Sequence, residues 1–239
     1  MKPIEITPIS SLLSTELENP TIRARVTWKS EITPWQSFIR EGIIFHMHLL
    51  DESGQVTGVL FDCECEKFYH QIQVGNVYVF SNFVQEDEVR FRVLDHTRQI
   101  GFGFNTVVQP NVDVPEISKI KYEFVPLSKI STKPDGDPVD AIGICTEVRG
   151  VENRGGNIIR ELLLVDADYQ KIMLNLWEKT AEKFEGAVGD VIVVKGARVQ
   201  EHNNEKKMNA SWYTMVQINP EIPEAIQMRE WYGIKQEIF

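Results

Sequence analysis

Residues 49–80 read LLDESGQVTGVLFDCECEKFYHQIQVGNVYVF, and residues 164–194 read LVDADYQKIMLNLWEKTAEKFEGAVGDVIVV. Each stretch opens on a hydrophobe and an aspartate and reaches an aromatic, Phe61 or Trp177, ten or eleven residues later. Glu-Lys-Phe follows in both, at 66–68 and 182–184, and then Val-Gly-Asn/Asp-Val, from Val74 and from Val188. The offset between the copies stays near 115, about half of the 239-residue chain. Such landmarks in the same order at one offset read as two copies of a single structural unit.

The elements around these landmarks are short and rich in β-branched and aromatic residues. Candidate strands in the first unit are 22–27, 44–50, 56–61, 77–81 and 89–94; in the second they are 140–148, 159–166, 172–177, 191–199 and 209–218. One helical stretch per unit, 65–72 and 178–184, falls between the third and fourth strands. Five short strands with that single helix outline an OB-fold, a small all-β Greek-key barrel. An SH3-like barrel lacks the helix, and an immunoglobulin sandwich needs about seven strands. The first barrel is expected over 1–107, a linker over 108–121 where prolines gather, and the second barrel over 122–239. Residues 122–125 alternate and offer a first strand to the second unit, the KPDGDP cluster at 133–138 marks a turn, and the tail from 223 has helix-forming composition.

With 42% hydrophobic and 25% charged residues, the chain is neither a disordered tail, a collagen nor a coiled coil. It carries 25 Lys+Arg against 35 Asp+Glu, a net charge of −10. The first 120 residues hold 10 basic against 16 acidic residues, the remainder 15 against 19. That balance argues against a grip on polyphosphate by bulk charge, which works by counterion release at Lys and Arg. Three cysteines suggest a reducing compartment rather than a disulfide framework. The N-terminal MKPIEITPISSLL lacks a signal-peptide apolar run, and no apolar stretch approaches the ~20 residues of a membrane span. An intracellular, soluble chain without a membrane partner is the expectation.

No nucleophile elbow, P-loop, H-E-x-x-H, D-F-G or G-x-G-x-x-G before a helix is present, so neither an enzyme nor a cofactor is expected. Cys63, Cys65 and His70 make a C-x-C-x4-H, but the second ligand pair of a zinc site is missing; small apolar cysteines at a strand–helix junction explain them, and no metal is assigned. The aromatics are the richer signal, because OB barrels stack unpaired bases on exposed rings beside a few cations. Trp35 lies in the segment WKSEITPWQSFIRE (28–41) with Arg40; Phe61 and Trp177 end equivalent strands; Phe91 alternates with Arg90 and Arg92 in VRFRV. Burial in the barrel core is the competing reading for each ring. If these rings share an exposed groove, nucleic-acid binding follows; if all are buried, the barrels are a protein-interaction scaffold.

The chain resembles the tandem DNA-binding domains A and B of the replication protein A large subunit. The resemblance is carried by PISSL (8–12), ARVT (24–27), KS (29–30), LDESG (50–54) with Phe61, and KF (67–68). It continues through VDAIGIC (139–145), LW (176–177), KGARV (195–199), NPEIPEA (219–225) and REWY (229–232). It implies two linked OB-folds that bind single-stranded DNA, in the nucleus, in replication, repair or recombination, with partner subunits of the same kind. Specialised paralogues of this subunit, which act at telomeres, in telomerase holoenzymes and in meiosis, fit as well, and would put the chain in a telomere or recombination complex. By position, Phe61 and Phe91 match the stacking pair of the first domain, and Trp177 the first aromatic of the second, with His202 where the family has phenylalanine. Trp35 matches a loop aromatic, Arg198 a backbone-contacting arginine, and Arg160 a residue of a basic segment. Thr33, Ile43 and Thr57 stand where the family usually has Arg or Lys, and Ile39 holds an arginine position with Arg40 one place on.

Overall fold

The computed structural model describes residues 5–13, 17–86, 94, 98–202 and 205–238, in two units, Met1–Lys121 and Tyr122–Phe239. The first unit opens with a 3-10 turn, Ile9–Leu13, followed by β1 (Thr21–Lys29), β2 (Thr33–Gln36), β3 (Glu41–Leu50) and β4 (Gln55–Phe61). Then come α1 (Asp62–Phe68), β5 (Val77–Ser81), β6 (Val84–Glu86), β7 (Gln99–Gly101) and β8 (Val107–Pro110). The second unit holds α2 (Leu127–Ile130), β9 (Pro138–Val148), β10 (Glu152–Arg154), β11 (Asn157–Val165) and β12 (Lys171–Trp177). It continues with α3 (Lys179–Glu182), β13 (Val191–His202), β14 (Glu205–Ala210), β15 (Met215–Ile218) and α4 (Pro223–Ile238).

In the second unit β9 pairs with both β11 and β13, which closes the ring β9–β11–β12–β14–β13; every pairing is antiparallel except β12 with β14. This is the OB-fold order. The first unit repeats it as a curled sheet, with β4 and β7 as the parallel pair. Here the fourth barrel strand is split into β5 and β6 at Asn82, whose φ is +55°; β13 instead runs through the matching bend at Gly196, φ +73°.

Each landmark of the sequence repeat has a structural cause. The opening aspartates make the hairpin turns: Asp51 Oδ1 accepts the N–H groups of Ser53 and Gly54, and Asp166 Oδ1 those of Asp168 and Gln170, all within 3.0 Å. Phe68 and Phe184, from Glu-Lys-Phe, bury their rings in the two barrel cores, each worth about 1.5–3 kcal/mol of apolar transfer. Gly75 and Gly189 adopt φ of +93° and +96°, which glycine tolerates without steric cost, and each N–H reaches back to the first barrel strand, at Val26 O and Cys145 O.

Several boundaries differ from the sequence reading. Within the expected linker, 108–121, the stretch up to Ile117 packs on the first barrel. Part of β8 pairs with β5, and Ile117 packs with Leu50 and Val77. Arg25, buried in β1, ties the segment down by donating to Ile117 O and Val114 O and pairing with Asp113. The expected strand 209–218 is two strands, because Ser211 N–H donates to Thr214 Oγ1 and Thr214 N–H to Ser211 O. The first helix starts at Asp62 rather than at 65, and the second covers only Lys179–Glu182. The expected strand 89–94 lies outside the described residues except for Leu94; the strand beside β4 is β7. The tail is helical, and α4 sets Ala225, Met228, Trp231 and Tyr232 against Ile144, Val191 and Val193.

Candidate nucleic-acid interface

In both units the third barrel strand ends on an aromatic followed by a carboxylate with a positive φ: Phe61–Asp62 at +46° and Trp177–Glu178 at +50°. Non-glycine residues adopt this region only when their surroundings hold them there. Here the carboxylates are the hold. Asp62 Oδ1 accepts Ile43 N–H at 3.1 Å, and Glu178 Oε1 accepts Ile158 N–H at 3.1 Å, so each chain reversal is fastened to the second barrel strand. The bend fixes the direction of the preceding ring.

In the first unit Trp35 on β2 meets Phe61 edge to face, with ring centroids 5.6 Å apart and planes at 78°. Both rings are half-buried. Gly42, opposite Trp35 in the β2–β3 pairing, leaves room for this corner: a Cβ there would fall 1.9 Å from Asp62 Oδ1 and 3.0 Å from Trp35 Nε1. Arg40 pairs with Asp62 Oδ2 at 3.2 Å, and its N–H closes on Ser37 Oγ. The hairpin tip between them carries Phe38 and Ile39 fully in solvent.

In the second unit Trp177 is half-buried, and its Nε1–H donates to Asn209 Oδ1 at 2.8 Å. Asn175 donates to the same oxygen at 3.2 Å, and Asn209 Nδ2 donates to Gln200 Oε1 at 2.9 Å. The parallel register sets Asn175 against Asn209, so a short amide ladder across β12, β14 and β13 orients the indole. The indole borders an open cavity of about 320 Å³ shared with Arg198, Asn209, Tyr213 and Asp135. Arg198 donates to Gly136 O at 3.0 Å and lies 5.4 Å from the Tyr213 ring. Aromatic walls, amides and one guanidinium form a surface suited to a flat heterocycle.

A family model described as the replication protein A OB domain matches residues 127–219. The 70 kDa DNA-binding subunit of replication protein A from Drosophila melanogaster is 38% identical over 234 residues, covering 94% of this chain and 39% of that protein. Its Xenopus tropicalis counterpart is 30% identical over 246 residues, 98% of this chain and 39% of that one. Among solved structures, a chain of a replication protein A heterotrimer bound to ssDNA is 30% identical with a TM-score of 0.68, covering 97% of this chain and 56% of that chain. The chain is replication protein A large-subunit-like. It spans 39% of the length of these curated relatives. The HIN1 domain of p202 in complex with a 12-mer dsDNA, 11% identical at a TM-score of 0.53 over 86% of this chain and 95% of that one, shares the fold alone.

Of the residues singled out in sequence, this large-subunit-like chain brings Trp35, Phe61 and Arg40 together in one unit and Trp177 and Arg198 in the other. Arg160 is half-buried and donates to Phe184 O at 2.7 Å, so it fastens the segment after α3. Phe91 and the side chain of His202 lie outside the described residues; the His202 backbone ends β13 opposite Glu205. Lys29 holds the end of α1, donating to Tyr69 O at 2.6 Å and Ile72 O at 2.8 Å. Cys65 donates its thiol to Leu60 O at 3.1 Å, and burial pushes its pKa up to about 12, the opposite of what a thiolate ligand requires. Sequence reasoning missed Asp62, Glu178, Asn209 and Tyr213. An aromatic followed by an acidic residue in both copies was the available signal for the first two.

Proposed function

We propose that the chain binds single-stranded DNA by stacking bases on Phe61 with Trp35 in its first unit and on Trp177 in its second. The observation that carries this reading is the Trp177 indole, oriented by Asn209 at the edge of an open cavity. The likeness to a chain solved as part of a heterotrimer bound to ssDNA supports it, as do relatives named DNA-binding subunits. Partner subunits of the replication protein A type, a nuclear setting and work in DNA replication, repair or recombination belong to the same proposal. Neither catalysis nor a cofactor is assigned. Titration of labelled oligo-dT at low and moderate salt tests the reading. Binding at micromolar protein or below is expected, and Trp177→Ala weakens it by about 5- to 150-fold, the worth of ~1–3 kcal/mol per stacked base. No binding at either salt concentration refutes it.

One observation favours a second reading, a protein-interaction scaffold: many cations near the grooves already hold internal partners. The same titration separates the two, since a scaffold leaves oligo-dT unbound with or without Trp177.

A further inference from the structure

The turn after the fifth barrel strand is built the same way in both units. Gly103 N–H donates to Thr106 Oγ1 at 2.9 Å and Thr106 N–H to Gly103 O at 2.9 Å; Ser211 and Thr214 repeat both bonds at 3.2 and 2.9 Å. Each threonine hydroxyl also donates to the bend of the fourth barrel strand, Thr106 to Asn82 O and Thr214 to Gly196 O. The turn is thus pinned at both ends, and it holds aromatics in place: Phe104, 89% exposed, in the first unit, and Trp212 and Tyr213 in the second, their rings 5.5 Å apart.

The parallel pairing of β12 with β14 matches Leu176 to Ala210, so the next residues, Trp177 and Ser211, leave the sheet side by side. The turn therefore starts next to the indole. Tyr213 is half-buried and borders the same 320 Å³ cavity as Trp177, with the Arg198 guanidinium 5.4 Å from its ring. The cavity also contains a carboxylate, Asp135, which accepts Glu201 N–H. With Arg198 on the same lining, the cavity holds one charge of each sign, and that balance gives no net attraction for a phosphate over a neutral base.

We infer that Tyr213 contacts nucleobases in this groove, as the second aromatic wall of the cavity bordered by Trp177. Its ligand is an unpaired base. Arg198, already bonded to Gly136 O, acts here as a cation against the tyrosine ring and fixes its position. The assignment rests on the single-strand reading above and adds a residue that the family resemblance does not mark.

The test uses the full chain and labelled oligo-dT long enough to cross both units. Tyr213→Ala is expected to weaken binding by about 5- to 150-fold, and Tyr213→Phe, which keeps the ring, to bind within about twofold of the unsubstituted chain. Photocrosslinking of the unsubstituted chain to oligo-dT carrying 5-iodouracil, read by peptide mass spectrometry, is expected to label Tyr213, and it does not depend on how the variants fold. If the unsubstituted chain binds while Tyr213→Ala binds equally well, this assignment fails and the single-strand reading stands. Crosslinks that form but spare Tyr213 likewise overturn the assignment alone. If the unsubstituted chain binds no oligonucleotide, both fail.

Discussion

Replacing Asn209 by alanine removes the acceptor that orients Trp177. The amide oxygen takes hydrogen bonds from Trp177 Nε1 and Asn175 Nδ2, and its NH2 donates to Gln200. Gln200 is exposed and regains water at little cost, but Asn175 is only 7% exposed and its Oδ1 has no partner among the described residues. Stranding a buried amide donor costs about 1–3 kcal/mol, and a half-buried indole N–H adds a fraction of that. We therefore expect Asn209→Ala to lower the stability of the second unit by about 2–3 kcal/mol in chemical denaturation. The decisive measurement is a double-mutant cycle with Trp177→Phe, which keeps a ring and removes the N–H. A coupling of about 0.5–1.5 kcal/mol is expected for one neutral hydrogen bond. In titrations with oligo-dT, Asn209→Ala should weaken binding less than Trp177→Ala, because the ring survives without its hold. A coupling of zero, with Asn209→Ala as stable as the unsubstituted chain, would refute the claim that this amide orients the indole.

Lys29→Met should destabilise the first unit by about 1–2 kcal/mol, the worth of charge-assisted bonds to Tyr69 O and Ile72 O reduced for solvent screening, and leave oligo-dT affinity nearly unchanged. The buried Glu161 carboxylate is held below its ordinary pKa of 4.5 chiefly by its hydrogen bonds to Arg154, with Arg149 adding to the effect against the cost of burial. A depressed carboxylate contributes stability that is present above its ordinary value and lost as pH falls through the folded-state value. Denaturation of Glu161→Gln across that acid range should therefore show a flatter pH dependence than the unsubstituted chain. Of the three thiols, Cys63 is exposed while Cys65 and Cys145 are buried with pKa values pushed up to about 12 and about 11. Alkylation of the native chain should label Cys63 alone by mass spectrometry, and all three after unfolding. Finally, the log–log salt dependence of oligo-dT binding should be shallow, with a slope of about −1 to −3. Single strands contribute roughly −0.7 per phosphate contact, so a slope steeper than about −5 would contradict binding led by stacking.

What was legible in the sequence follows from which residues carry backbone constraints. The turn aspartates, the glycines at positive φ and the core phenylalanines each enforce a local geometry, so their repetition revealed a repeated fold. Asp62 and Glu178 impose an equally strict geometry, but an acidic residue also reads as solvated surface, and only the recurrence of an aromatic–acid pair in both copies sets these two apart. The 209–218 stretch is rich in strand-forming residues and has neither Gly nor Pro. Its break is made by a threonine hydroxyl that turns inward to Gly196 O. Nothing local marks Arg25 as buried: its partners lie 50 to 92 residues away, and its burial is what docks the expected linker on the first barrel. Local pattern gives the barrel; long-range polar contacts decide which cations and rings remain available to a ligand.

The net charge of −10 fits the arrangement of these contacts. Arg40 lies against Asp62, Arg149 and Arg154 share Glu161, Lys206 faces Glu201, and Lys195, fully buried, pairs with Asp140. Breaking such a buried pair costs more than an exposed one because the remaining charge is stranded in a low dielectric, so Lys195 and Asp140 serve the barrel rather than a ligand. An ion pair already made inside the protein releases no counterions when a strand arrives unless it first opens, and opening it offsets part of the gain. Rings have no such conflict. The Phe61 and Trp177 corners are set by backbone bends and amides, and stacking on them needs no net positive field. On the proposed single-strand reading, these described cations are engaged within the protein, and the oriented aromatics at the ends of both third strands are what the chain offers to the bases.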